Sequence, residues 1–178
     1  MSTRLIHRSA ASPSRDIAEC LEALFLSELL DPGKRLLVAS PWMSDFPVLN
    51  NRGGKFTALD ASWTATFVPF SSILRGMLQR GTSVQIACGP GERETELLSR
   101  VDRVASLDGT ATRLSLNRLP REHRLFSHEK ALIGDTWAVY GSMNLTYSGV
   151  TMNGELITVT TNAARVATVA TELLDLFV

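Results

Sequence analysis

The segment 127–155, SHEKALIGDTWAVYGSMNLTYSGVTMNGE, holds the residues of this chain best suited to chemistry on a phosphate. His128 and Lys130 stand two residues apart, so in an extended segment they project to the same side. A neutral imidazole can attack phosphorus and carry it covalently. An ammonium beside it can hold the nonbridging oxygens. Gly141 permits close backbone approach, and the Ser142 hydroxyl and Asn144 amide can donate to the same oxygens. Taken singly, these residues have plain readings: a structural histidine, a solvated lysine, a turn or cap asparagine. Together they answer the requirements of phosphoryl transfer.

This combination, His128-x-Lys130 followed by Gly141-Ser142-x-Asn144, resembles the signature of the phospholipase D superfamily. The resemblance implies a phosphodiesterase in which His128 forms a phosphohistidine, with Lys130, Ser142 and Asn144 as catalytic partners in a phosphate cradle and Gly141 against the substrate. It also implies that neither a metal nor another cofactor takes part. Glu155 stands where the family carries an acid that hydrogen-bonds the catalytic imidazole, which makes it a candidate orienter. Its plain reading is a strand-edge charge. Asp135 matches the family's aspartate, but one residue fewer separates it from Gly141 than is usual, so it reads as a turn residue first.

The superfamily reaction uses two such motifs, one histidine attacking and another protonating the leaving oxygen. This chain carries one motif: His7 falls in an expected amino-terminal tail, and His123 lacks a suitably placed lysine. The resemblance therefore implies a homodimer with its site shared across a two-fold axis. The wording His-Glu-Lys, Gly-Ser-Met-Asn and Thr-Tyr-Ser-Gly, with Ser-Pro-Trp-Met-Ser-Asp at 40–45, is similar to single-motif phospholipase D-like proteins of bacterial DNA 7-deazaguanine modification and restriction cassettes. That subgroup implies DNA as substrate and other proteins of a restriction or modification complex as partners. The alternatives are a phospholipase or phosphatidyl transferase, and a catalytically silent nucleic-acid-binding subunit.

Arg113, Arg118, Arg121, Arg124 and Lys130 form a local cationic run leading to His128, offset by Glu122 and Glu129. It could guide a nucleic-acid backbone, with Arg124 as a substrate-binding candidate, or be a solvated surface. Trp42 and Asp45 follow a strand, so they could face the cleft, or serve as packing and turn residues. Thr146 and Tyr147 read as the cap and a packing residue of a short helix after Asn144.

The elements that position these residues alternate. Ser14 reads as an N-cap, and Ile17, Cys20, Leu21, Leu24, Phe25 and Leu29 recur at helical spacing until Pro32-Gly33. Strands are expected at 35–39, 83–87 and 112–116, with helices from Ser71 or Ser72 to Arg80 and over 92–107 between them. Residues 43–69 carry turn signals around Asn50 to Gly54 and only weak alternation. After Lys130, apolar runs at 131–133 and 137–140 flank Gly134-Asp135, a hairpin signal. A strand at 156–160 and a helix at 163–176 follow. This predicts an α/β, single-domain phospholipase D-like fold with a mixed, largely parallel sheet flanked by helices on both faces. Residues 1–13 are expected to be a flexible tail and 14–178 the catalytic domain.

Composition sets the outer limits. With 178 residues, 44% of them hydrophobic and 20% charged, the chain can bury a sizeable core. Eighteen basic and eighteen acidic residues cancel, which excludes a global positive field, so any polyanion affinity must be local. Cys20 and Cys88 suggest neither a disulfide framework nor a zinc cluster and read as core residues in a cytoplasmic protein. No stretch approaches the ~20 apolar residues that span a bilayer, and no secretory leader is legible.

Overall fold

A computed structural model describes residues 2–11, 14–119 and 128–177. Its strands are β1 (Thr3–Arg8), β2 (Arg35–Ser40), β3 (Pro47–Asn50), β4 (Phe67–Pro69), β5 (Ser83–Cys88), β6 (Leu114–Arg118), β7 (Ala131–Ile133), β8 (Ala138–Gly141) and β9 (Glu155–Thr160). The helices are α1 (Asp16–Leu30), α2 (Phe70–Gln79), α3 (Glu92–Leu107), α4 (Tyr147–Thr151) and α5 (Ala163–Glu172).

Seven strands form one sheet in the order β1-β9-β8-β7-β2-β5-β6, and β3 and β4 make a separate hairpin. The order matters because it sets β7, β8 and β9 side by side, and with them the candidate residues His128 and Lys130 before β7, Gly141, Ser142 and Asn144 at and after the end of β8, and Glu155 at the start of β9. The expected parallel arrangement is confined to β2, β5 and β6. From β2 through β7, β8 and β9 to β1 every junction is antiparallel. For β7 and β8 the cause is connection length: a turn as short as Gly134–Trp137 can only reverse the chain, whereas the parallel pairs β2–β5 and β5–β6 are joined through α2 and α3.

Alternation along the central strands sends side chains to two apolar layers. Leu36, Val38, Val84, Ile86 and Leu132 meet α1, α2 and α3, where Ile17, Leu21, Phe25, Phe70, Ile73, Met77, Leu98 and Val101 lie inward. Leu37, Ala39, Ala87, Ala131 and Ile133 meet Val166 and Val169 of α5 and Leu173 just beyond it. Both faces are thus covered by helices, as expected. Each fully buried leucine, isoleucine or phenylalanine contributes about 1.5–3 kcal/mol.

Several expected boundaries move. Residues 3–8, assigned to a flexible tail, instead form β1, an edge strand paired in register with β9 from Thr3↔Thr160 to Arg8↔Glu155. The sheet therefore begins before residue 14. Ser14 does not cap α1: Arg15 holds the cap position, without a side-chain bond. β6 starts at Leu114, because Ala111–Arg113 is a short 3-10 turn. Cys88 is buried, and burial with the nearby Glu94 charge pushes its thiol up to about 12. Cys20 is only half-buried.

Candidate active site

The candidate residues gather at one end of the sheet, beside the carboxyl ends of the parallel strands β2 and β5, where crevices in α/β sheets form. Residues 128–130 lead straight into β7, and Gly141 closes β8 by donating its N–H to the Lys130 carbonyl at 3.2 Å. That bond extends the β7–β8 ladder by one rung and sets Lys130 opposite Gly141.

Gly141 has φ +151, and a β-carbon there would collide with the Leu156 carbonyl and lie 2.9 Å from Ile157 Cα. The close approach this glycine allows is therefore to the β9 backbone. Ser142 is fastened by the same contact. Its N–H donates to the Leu156 carbonyl at 3.0 Å, and its Oγ accepts the Leu156 N–H at 3.0 Å. The Ser142 hydroxyl donates to Glu155 Oε2.

Glu155 is 7% exposed, and Asn153 Nδ2 donates to its Oε1 at 3.5 Å. Its carboxylate joins Ser142 and Asn153, and no hydrogen bond links it to the His128 imidazole. Across the β1–β9 pairing stands Arg8, 1% exposed. The Arg8 guanidinium donates from Nε to the Asn153 carbonyl at 2.8 Å, from Nη1 to the Val150 carbonyl and from Nη2 to that of Gly149. It thereby ties α4 and the loop before Glu155 to the sheet. Burial lowers its pKa, opposed by the Glu155 charge. Nothing in the sequence singles out Arg8, because its short polar strand reads as a tail.

His128 is exposed, and Lys130 is half-buried with its Nζ donating to the His128 carbonyl. Burial lowers the Lys130 pKa, while the charges of Glu155 and Glu129 oppose the shift. A groove of about 380 Å³ opens beside Lys130 and Gly141, between Tyr140 and the Arg165, Thr168 and Glu172 side chains of α5.

Asn144 lies at the other rim, where the loop after β2 is laced to the loop after β8. Met43 and Leu145 form a parallel bridge, and Ser44 N–H donates to the Leu145 carbonyl at 2.9 Å. Ser40 Oγ accepts the Leu145 N–H at 3.1 Å and lies 2.7 Å from the Trp42 carbonyl and 3.5 Å from Asn144 Oδ1. A hydroxyl has one proton, and the shorter bond to Trp42 takes it. The contact with Ser40 is in any case to the amide oxygen of Asn144, which leaves its Nδ2 hydrogens for another acceptor. Thr146 caps α4, its Oγ1 accepting the Gly149 N–H at 3.1 Å, as expected.

Trp42 does reach the cleft: its ring lies 6.0 Å from that of His128 at 73°. Asp45 instead accepts from Ser71 N–H and Oγ, each at 2.8 Å, and pairs with Arg100 at 3.1 Å. It is structural. Asp135 sits in the β7–β8 turn at the opposite end of the hairpin from His128, accepting the Lys34 N–H and pairing with Arg35 at 3.5 Å. Arg118 is exposed at the end of β6, and Arg124, with Arg121, lies outside the described residues. Among the described residues no group of three or more His, Cys, Asp or Glu is placed to hold a metal ion. No helix among them is long and apolar enough to cross a membrane.

This sheet, with a His-x-Lys segment entering one strand and Gly-Ser-x-Asn leaving the next, defines a phospholipase D-like domain. The family model described as cardiolipin synthase, PLD-like domain, matches residues 62–177, and the chain belongs to that phospholipase D-like family. No curated protein matches it in sequence. Among solved structures, the phospholipase D family member Nuc from Salmonella typhimurium aligns over 98% of this chain and 92% of its own, at 13% identity and a TM-score of 0.58. NucT from Helicobacter pylori aligns over 98% and 94%, at 13% identity and a TM-score of 0.57. Phosphatidylserine synthase from Haemophilus influenzae Rd KW20 aligns over 98% of this chain and 38% of its own, at 15% identity and a TM-score of 0.61. At such identities the likeness is one of fold.

Proposed function

We propose that this chain is a metal-independent phosphodiesterase that cleaves nucleic acid, DNA in the first place, through a phosphohistidine on His128. The observation that carries the reading is the exposed His128 imidazole at the open end of the sheet, with Lys130 beside it and Ser142 and Asn144 on the loop that leaves the adjoining strand β8. In the first step an imidazole nitrogen of His128 bonds to phosphorus as the P–O bond to the leaving group breaks, and the departing oxygen takes a proton from the His128 of a second copy. In the second, water attacks the phosphohistidine, gives its proton to that second imidazole, and releases His128. Lys130 and Asn144 steady the phosphate oxygens, while Gly141, Trp42 and Arg124 contact the substrate.

Glu155 acts in this scheme through Ser142, which it holds in place. The homodimer supplies the second histidine, since one chain carries one His-x-Lys segment. Work in the cytoplasm, within a DNA-modification-linked restriction or phage-defence complex, completes the proposal.

The test is incubation of the purified protein with DNA, RNA and phospholipid panels in chelator, beside His128→Ala. Nucleic-acid cleavage by the wild type and none by the variant is expected. Cleavage of lipid alone would favour the phosphatidyl-transfer reading, and binding of nucleic acid without cleavage the silent-subunit reading. Equal cleavage by the variant would remove His128 from the mechanism.

A further inference from the structure

We infer that the Trp42 indole is a base-stacking platform, so that the site takes phosphodiesters flanked by an unpaired base, single-stranded or locally opened nucleic acid rather than closed duplex. The inference rests on the nuclease reading above and narrows its substrate.

Of the three tryptophans, Trp63 and Trp137 are 5% and 3% exposed, as large apolar rings normally are, whereas Trp42 is 47% exposed. Its exposure does not come from a slack loop. The Trp42 carbonyl accepts from Ser40 Oγ at 2.7 Å, and the next N–H, of Met43, donates to the buried Glu94 at 2.8 Å. The carbonyl before it, of Pro41, accepts the Gly89 N–H at 3.1 Å. The backbone is thus pinned on both sides of a ring left open to solvent, an arrangement that spends no conformational entropy when a flat partner arrives.

The ring also stands in the right place. Its edge-to-face contact with His128, 6.0 Å between centroids, occupies at most one face of the indole. A nucleobase lies about one sugar away from its own phosphorus, which is the offset between a phosphate held at His128 and a base resting on its neighbour. In a closed duplex that base is buried in the stack and cannot reach the ring. A lipid phosphodiester offers no ring at all. Tyr147, expected as a packing residue of the short helix after Asn144, is instead 51% exposed at the start of α4, its N–H donating to Ser44 Oγ at 3.2 Å. It provides a second aromatic surface on the same rim. Stacking accepts every base, so weak sequence preference follows.

The test uses the full chain and two oligomers of equal length, oligo-dT and a base-free oligomer of abasic units. In His128→Ala, where cleavage is blocked, oligo-dT quenches the tryptophan fluorescence and blunt duplex does not; with the other two tryptophans buried, quenching reports Trp42. In the cleavage-competent protein, the preference in kcat/KM for oligo-dT over the base-free oligomer collapses by about 5- to 150-fold in Trp42→Ala and is largely kept in Trp42→Phe. Several results would overturn the inference: no quenching by oligo-dT, equal slowing of both oligomers, or a Trp42→Ala variant that changes from dimer to monomer by light scattering, which would mean the indole packs against a second copy. If the wild type cleaves neither oligomer, the nuclease reading fails, and the quenching result alone decides the stacking surface.

Discussion

The exposed imidazole of His128 and the half-buried ammonium of Lys130 divide the proposed work on one phosphate between attack and charge neutralisation. Loss of the nucleophile should cost at least about a thousandfold in kcat, and Lys130→Met about a hundred- to a thousandfold, both read on a single-stranded oligonucleotide in chelator. The second substitution has a further consequence for stability. Burial lowers the Lys130 pKa, so between its folded and unfolded values the folded chain binds fewer protons, and stability rises with pH across that window. The burial cost is felt in full below the folded value and vanishes above the unfolded one. Denaturant midpoints measured from neutral to alkaline pH should therefore show wild type gaining on Lys130→Met as pH rises. A constant gap between the two would contradict the assignment.

Among the elements, β8 and β9 set the geometry, because their approach at Gly141 fixes Ser142 beside Glu155. Gly141→Ala would place a β-carbon against backbone atoms that cannot yield, at a φ that favours glycine. It should destabilise by at least about 2 kcal/mol in urea unfolding and lower activity as Ser142 shifts. At this scale the strongly patterned parts of the sequence were readable. Helix α3 runs over the expected 92–107 because an apolar face at helical spacing is bounded by Gly91 and Gly109. β2, β5 and the β7–β8 hairpin follow from apolar runs cut by glycine and proline. β1 is not readable: a six-residue edge strand with only Ile6 and Arg8 buried and Arg4, Leu5 and His7 exposed looks polar, and only its β9 partner makes it a strand. The stretch 43–69 was illegible for a similar reason. Its two short strands pair with each other, and the loop between them is held by side-chain bonds, from Asn51 Nδ2 to the Trp63 carbonyl and from the Phe56 N–H to Asn51 Oδ1, which leave no periodicity. In the site, the motif residues were legible by type, and the lacing of 40–45 to 142–147 was not, since it joins loops about a hundred residues apart.

For the whole molecule, the proposed reaction needs two imidazoles on one phosphorus, and a single chain carries one His-x-Lys segment. In the proposed steps one His128 must be neutral to attack and the other protonated to release the leaving oxygen, so activity should be greatest where both conditions hold. A bell-shaped dependence of kcat/KM is expected over roughly pH 5 to 9, and a flat profile would count against paired histidines. The most direct measurement is intact-mass and peptide analysis of the protein quenched during turnover of an oligonucleotide in chelator. The account predicts a covalent phosphoryl-oligonucleotide adduct on His128 that is acid-labile and missing from His128→Ala. Cleavage without any such adduct, or an adduct on another residue, would contradict it.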